Sequence, residues 1–468
     1  MFHYNRNASF LAFASPSTRF LVLGMMLEIV GVVVALFTRV LASITTELLS
    51  YVAQIRPVVF YFKLIHFICI SIGIISLFIA LFLELIMTDA QRMGHLIRKR
   101  LFLYQYGNPL HLKDHERLPK VKCKKKSDGV FVVTISTSCC TTEEIESVAT
   151  SISSGLNQRY RRYAITNANV DLAFNNVSFQ IEDVLIDRSI TIQDVRELCP
   201  KSPTHLIVDK EHNIDLTTSG SMLVAGKTRS GKTTAVISLL LQALQAGKDN
   251  YDSMIMVIDP KRAELSRLPH TVTLDEDGNA SAILEAIQEF ADMVTKRQQV
   301  LNDLSEQKGN AVHWWEADMH VSLLFIDEYV ACRTIFPKKA SKDNPDYSLA
   351  TFDALLKKIV TMGASAGAYV IISIAEASVD ESGGGLPAML RSACSTKILF
   401  RPTIPEARLL WDTEKLKELN ANRVYNAGDA WFSSTDGIND NISFVHFPNL
   451  AFDVYRKLGH LLSAYYDD

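Results

Sequence analysis

The sequence predicts an α/β protein in three parts: an N-terminal two-helix transmembrane hairpin, a small α/β unit, and a larger domain whose central parallel sheet carries a phosphate-binding loop. Three observations predict it. Two mostly apolar runs, of a length near or above the ~20 residues that cross a bilayer, lie between residues 20 and 88. A GxxxxGK(S/T) segment, Gly226–Thr233, sits between an apolar strand and an apolar helix. Downstream, the apolar run His320–Ile326 closes on Asp327-Glu328.

With 468 residues the chain exceeds one ordinary domain. The spacing of character along it suggests a tail (1–19), the hairpin (20–88), a basic juxtamembrane linker (89–128), a small α/β adaptor (129–204) and the large domain (205–468). The formal net charge of -3 rules out an argument for nucleic-acid binding from overall charge. The seven cysteines show no CxxC spacing and no even framework, so they read as reduced thiols in a reducing compartment.

Phe20–Thr38 is interrupted only by Glu28 and bounded by Arg19 and Arg39. It lacks the small-residue cleavage site of a signal peptide, and a second run, Leu64–Thr88, follows soon after. Arg92, Arg98, Lys99 and Arg100 crowd the far side of the second run. The positive-inside rule then places both termini in the cytoplasm, a short external loop around residues 40–57, and the chain in the cell membrane as a two-span protein. Glu28 and Glu84 lie at membrane depth and read either as helix or partner contacts or as snorkelling or protonated carboxylates.

Residues 92–126 hold eleven Lys/Arg against Asp114 and Glu116. Such a patch suits anionic lipid, or the phosphates of DNA or another acidic partner. Val130–Ile135 reads as a strand. Thr141 with Glu144 forms a capping-box signature ahead of a helix running to Leu156, and strands are expected over Arg159–Ile165 and Val177–Ile186.

The glycines of Gly226-Lys227-Thr228-Arg229-Ser230-Gly231-Lys232-Thr233 let the backbone curl so that its N–H groups face phosphate, and Thr234 continues into the helix. In such a loop Lys232 reaches the β/γ-phosphates of ATP, and the Thr233 hydroxyl coordinates Mg2+ together with Asp327. Glu328 is placed to polarise an attacking water, the mark of a hydrolase rather than a kinase. This acidic pair falls about 90 residues after the loop.

A further set of segments narrows the family. Met254–Ile258 runs into Asp259-Pro260-Lys261-Arg262 and Glu264-Leu265; then come Gly363–Ile372, Ser378-Val379-Asp380, Lys397–Phe400 and Gly428-Asp429-Ala430-Trp431. In this order they resemble the FtsK/SpoIIIE family of DNA-pumping ATPases over about residues 205–447. The resemblance implies a RecA-like P-loop motor, ATP and Mg2+ as cofactors, and a ring, expected to be a homo-hexamer. Two features depart from the family's pattern. Ala364 stands where an arginine acting across the subunit interface is usual, and Ser373-Ile374-Ala375-Glu376 lacks the glutamine of the usual strand end. Arg391, and secondarily Arg401, become the candidates for the trans-acting charge.

With about 20 residues after the last matching segment, no winged-helix domain is expected. A compact two-span motor resembles the coupling proteins of conjugative elements, which implies DNA, a relaxase and conjugation-channel membrane proteins as partners. Pro337–Lys342 and the Gly383-Gly384-Gly385 loop are candidate DNA contacts or ordinary surface loops. Two other readings stand beside it: an ATPase that energises protein export, and a nucleotide-regulated membrane scaffold that does not pump.

Overall fold

The computed structural model describes residues 3–6, 10–47, 52–156, 158–186, 189–200, 202–342, 344–375, 385–412, 416, 425–437 and 439–467. They divide into two compact units, Met1–Leu185 and Ile186–Asp468.

The first unit begins with α1 (Pro16–Glu47) and α2 (Val52–Ile86). The expected external loop is therefore mostly helical. Gly24 lies under Leu77, Glu28 against Gly73 and Gly31 under Ile70, so the two helices run antiparallel, with glycines admitting close approach. Their spans Pro16–Ser43 and Pro57–Ile86 share a mean hydropathy of 2.6, with only 11% and 17% of the most apolar window buried. Helices this apolar that bury so little are not the core helices of a soluble domain.

The expected linker 89–128 is structured. Thr88 and Gln91 form a capping box that starts α3 (Asp89–Phe102), and β1 (Val121–Ser127) follows. Then come β2 (Val130–Ser136), α4 (Thr142–Glu146), α5 (Ala149–Gly155), β3 (Tyr163–Val170) and β4 (Asn176–Asp183). The Thr141/Glu144 capping box is present, but the helix after it breaks at Ser147–Val148 into two short pieces. The four strands form an antiparallel sheet in the order β1-β2-β4-β3. One face of it packs Phe131, Val133, Ile135, Phe179 and Ile181 against Met93, Ile97 and Leu101 of α3 and Ile145 and Ile152 of the short helices.

The second unit starts earlier than the expected boundary at 204. Ile192, Val195 and Leu198 lie in its core, and β5 (Thr191–Ile192) pairs in parallel with a strand at the other end of the unit. After the small hairpin of β6 (His205–Ile207) and β7 (Asn213–Asp215), β8 (Met222–Gly226) leads into α6 (Lys232–Gln245). β9 (Ile255–Asp259), β10 (Thr271–Thr273), α7 (Ser281–Lys308), β11 (Ser322–Ile326), α8 (Tyr329–Ile335), α9 (Leu349–Met362) and β12 (Ala368–Ile374) follow. The unit closes with α10 (Ala388–Ala393), β13 (Thr396–Phe400), α11 (Ile404–Leu410), β14 (Asp429–Ser434), β15 (Ser443–His446), β16 (Asn449–Leu450) and α12 (Val454–Asp467).

The eight-stranded sheet has the order β10-β9-β11-β12-β8-β13-β14-β15. Its first six strands form the expected central parallel sheet, and β14 and β15 extend it antiparallel at one edge, so the sheet as a whole is mixed. β14 reaches the edge of β13 through a long connection that includes α11, and β15 then returns beside β14 after a short loop, which an antiparallel pair allows. Strand side chains alternate between two cores. Met222, Val224, Leu323, Phe325, Tyr369 and Ile371 face α6 and α12, while Leu223, Ala225, Leu324, Ile326, Val370 and Ile372 face α7 and α9.

Candidate nucleotide site

The parallel register aligns the C-terminal ends of β8, β9, β11, β12 and β13 along one edge of the sheet, where open α/β folds bind ligands. Each of the expected chemical segments leaves one of these ends. Gly226–Thr233 joins β8 to α6, Asp259-Pro260-Lys261 leaves β9, Asp327-Glu328 leaves β11, and Ser373-Ile374-Ala375 ends β12.

The loop needs glycine at two places. Gly226 has φ +153, and a Cβ there would lie 2.7 Å from Phe400 Cβ. Gly231 has φ +94, and its Cβ would run into the backbone of Gly428. Gly428 N–H also donates to the Ser230 carbonyl at 2.9 Å, so the Gly428-Asp429 segment braces the loop from behind. Ser230 Oγ is buried without a hydrogen-bond partner among the described residues, a donor available to a phosphate oxygen.

Lys232 is 9% exposed. Its ammonium donates to the Ile374 carbonyl at 3.0 Å and stands 4.0 Å from Glu328 Oε2. Burial pushes its pKa below the usual lysine value, while Glu328 and Asp327 act in the opposite direction. Asp327 accepts a hydrogen bond from Ser373 Oγ at 3.2 Å. Burial raises its pKa, opposed by Lys232 and Ser373. Glu328 Oε1 accepts from Ala375 N–H at 3.0 Å, and Oε2 lies 3.2 Å from Lys261 Nζ.

Four non-glycine residues at these strand ends occupy the left-handed region: Arg229 (φ 61), Arg262 (φ 51), Glu328 (φ 54) and Arg401 (φ 46). Each costs ~1–3 kcal/mol, a strain that clusters at functional sites.

Thr233 at the head of α6 and the Asp327 carboxylate supply the oxygen donors that suit Mg2+ shared with phosphate. Among the described residues no group of three or more His, Cys, Asp or Glu could hold a metal by itself.

The other candidates lie elsewhere. Arg391 donates from Nη1 to the Leu409 carbonyl at 3.1 Å within its own chain. Arg401 is exposed just past β13, and Ala364 is exposed before β12, at the opposite end of the sheet from the loop. Pro337–Lys342 is exposed throughout. Glu376, Ser378-Val379-Asp380 and Gly383-Gly384 lie outside the described residues.

Sequence reasoning missed the backbone contacts of Ile374 and Ala375, the brace by Gly428, and the pairing of Lys261 with Glu328. The motif containing Lys261 was visible, but its partner was not.

Residues 188–325 match the model of the FtsK/SpoIIIE family. DNA translocase FtsK of Bacillus anthracis is 25% identical over 184 residues, covering 36% of this chain and 22% of that protein. The chain thus spans about a fifth of that relative. Among solved structures, the pCW3 conjugation coupling protein TcpA with ATPγS is similar at 14% identity and TM-score 0.46, over 80% of this chain and 99% of that one. EssC (ATPases 2 and 3) of Geobacillus thermodenitrificans is similar at 16% identity and TM-score 0.39, over 60% and 52%. The matched segment runs from β5 into β11, includes the phosphate loop, and stops just short of Asp327-Glu328, so this part of the chain is similar to the FtsK/SpoIIIE ATPases.

Proposed function

We propose that this chain is a membrane-anchored, ATP-driven DNA translocase that acts as a coupling protein in conjugative transfer, presenting a DNA–relaxase complex to a secretion channel. The observation that carries this reading is that the segment similar to FtsK/SpoIIIE holds Lys232 and leads directly into Asp327 and Glu328, which meet Lys232 at one site, in a chain whose two outward-facing apolar helices suit a bilayer. The working form is a homo-hexameric ring in the cell membrane, with the motor on the cytoplasmic side.

In this reading the loop amides of residues 226–234 and the Lys232 ammonium hold the phosphates of ATP. Thr233 and Asp327 would hold Mg2+, which would neutralise charge developing on the phosphate oxygens. Glu328 orients and polarises the attacking water. Ser373 steers the Asp327 carboxylate. Arg391 or Arg401 supplies a charge to the neighbouring subunit's site, and the exposed Lys338, Lys339 and Lys342 supply non-specific contacts to DNA phosphates.

The test is ATP hydrolysis by the full chain in detergent or nanodiscs, with and without DNA. Hydrolysis stimulated by DNA is expected. Stimulation by a secretion-signal peptide but not by DNA would move the substrate to protein, and bound nucleotide with no turnover under any condition would leave only a scaffold. Lys232→Ala should abolish transfer while leaving membrane insertion intact; wild-type transfer by that variant refutes the reading.

A further inference from the structure

Glu328, the residue given the water-orienting role above, has neither carboxylate oxygen free. Oε1 accepts from Ala375 N–H at 3.0 Å, and Oε2 faces Lys261 Nζ at 3.2 Å. A group that orients water must present an open carboxylate oxygen to it, and here a backbone N–H holds one oxygen and a lysine ammonium covers the other. Lys232 is the more distant cation at 4.0 Å, with its own donor directed to Ile374. Lys261 is therefore the dominant partner of Glu328.

The backbone that carries Lys261 is firmly built. Asp259, fully buried, accepts from the N–H groups of Lys261 at 3.1 Å, Ala263 at 2.9 Å and Ser266 at 3.0 Å. Arg262 Nη2 donates to the Leu274 carbonyl at 3.0 Å, and Tyr455 of α12 donates to Glu264 Oε2 at 2.6 Å. In contrast, the Lys261 side chain is 50% exposed, against 14% for Glu328. A fixed platform thus carries one long, half-exposed side chain, facing a carboxylate that is mostly covered and held by a backbone N–H.

We propose that Lys261 is a positioning residue that latches Glu328 out of hydrolytic use, so that turnover requires its ammonium to leave Oε2. The proposal rests on the hydrolase reading. Phosphate is the chemistry that competes for a lysine ammonium, and it reaches this site either as the nucleotide's own phosphate or as the backbone of DNA.

Full-length wild type, Lys261→Met and Lys261→Arg are compared for steady-state ATP turnover with and without DNA. A latch released by DNA predicts that Lys261→Met raises the DNA-free rate at least about threefold and shrinks the fold-stimulation by DNA. Lys261→Arg, which keeps the cation, should bring the DNA-free rate back down from the Lys261→Met level. Equal loss of turnover with and without DNA, or a DNA-free rate left unchanged, overturns the proposal.

A second measurement does not depend on turnover. Affinity for a fluorescent ATP analogue is measured for Lys261→Met in the Glu328 and the Glu328→Gln backgrounds. Without Lys261, the Glu328 charge faces the triphosphate unneutralised, so affinity should fall severalfold; in the Gln background that loss should vanish. An equal loss in both backgrounds makes Lys261 a direct phosphate ligand and refutes the latch. Wild-type protein that hydrolyses no ATP with or without DNA refutes the proposed function instead, and the binding cycle still decides the latch.

Discussion

Replacing Arg297 with methionine should unfold the second unit well below its normal temperature. The Arg297 and Asp249 side chains are each 1% exposed and lie 3.1 Å apart. The guanidinium also donates to the Ala366 carbonyl at 2.8 Å, the His320 carbonyl at 2.7 Å and Ser322 Oγ at 3.4 Å. It therefore ties α7 to the starts of both β11 and β12. Methionine preserves the aliphatic stem and deletes every donor. Breaking a buried pair by removing one partner costs about 3–5 kcal/mol, because the other charge stays buried. Asp249 retains N–H donors from His320, Tyr251 and Ser253, so the lower end, about 3 kcal/mol, is expected. At about 2–4 °C per kcal/mol for a large domain, the Tm should fall by roughly 6–12 °C. Differential scanning calorimetry on the full chain in detergent measures it. The double variant Arg297→Met/Asp249→Asn should recover part of the loss, since it removes the stranded charge. A shift under about 2 °C, or strictly additive single effects, would refute the reasoning.

Gly231→Ala should weaken binding of a fluorescent ATP analogue by about tenfold or more, because the new methyl meets the Gly428 backbone at a φ of +94. Wild-type affinity in a titration would count against that brace. Burial, aided by Arg98 and Arg19, depresses the His95 pKa in α3 below its ordinary 6.5. Below pH ~6.5 the unfolded chain takes a proton that the folded unit refuses, so stability falls with pH from there down to the depressed folded value. His95→Gln should flatten that slope between pH 7.5 and 5.5 in thermal melts, and an unchanged slope would assign it to another group.

The two apolar helices, the phosphate loop, and the strands leading to Asp259 and Asp327 were legible in the sequence. Each rests on local signals: hydropathy over ~20 residues, glycine spacing, or an apolar run ending in carboxylates. The Thr141/Glu144 capping box was equally local, yet the helix behind it stops after five residues. Boundary 185/186 was not legible, because the side chains of Ile192, Val195 and Leu198 reveal their allegiance only by packing with residues such as Leu240 and Leu462. Nor was the antiparallel addition of β14 and β15, since an apolar run does not announce its direction. The site's finest contacts come from backbone groups, the Ile374 carbonyl, Ala375 N–H and Gly428 N–H, which no side-chain code records. The strain at Glu328 is likewise set by tertiary contact and not by residue type.

The pairing of β5 with β16, and the brace of Gly428 behind the phosphate loop, carry a consequence for synthesis on the ribosome. The two apolar helices are made before the second unit, whereas the strand that pairs with β5 and the helix α12 are made after the rest of that unit. Leu458, Leu462 and Tyr465 of that helix complete a core begun more than 250 residues earlier at Ile192. Contacts so distant in sequence form slowly, and nucleation cannot finish before translation does. A nascent chain stalled before α12 would leave the α6 side of the sheet only partly covered, open to chaperones and proteases. Quality control would thereby see every incomplete copy before it could act.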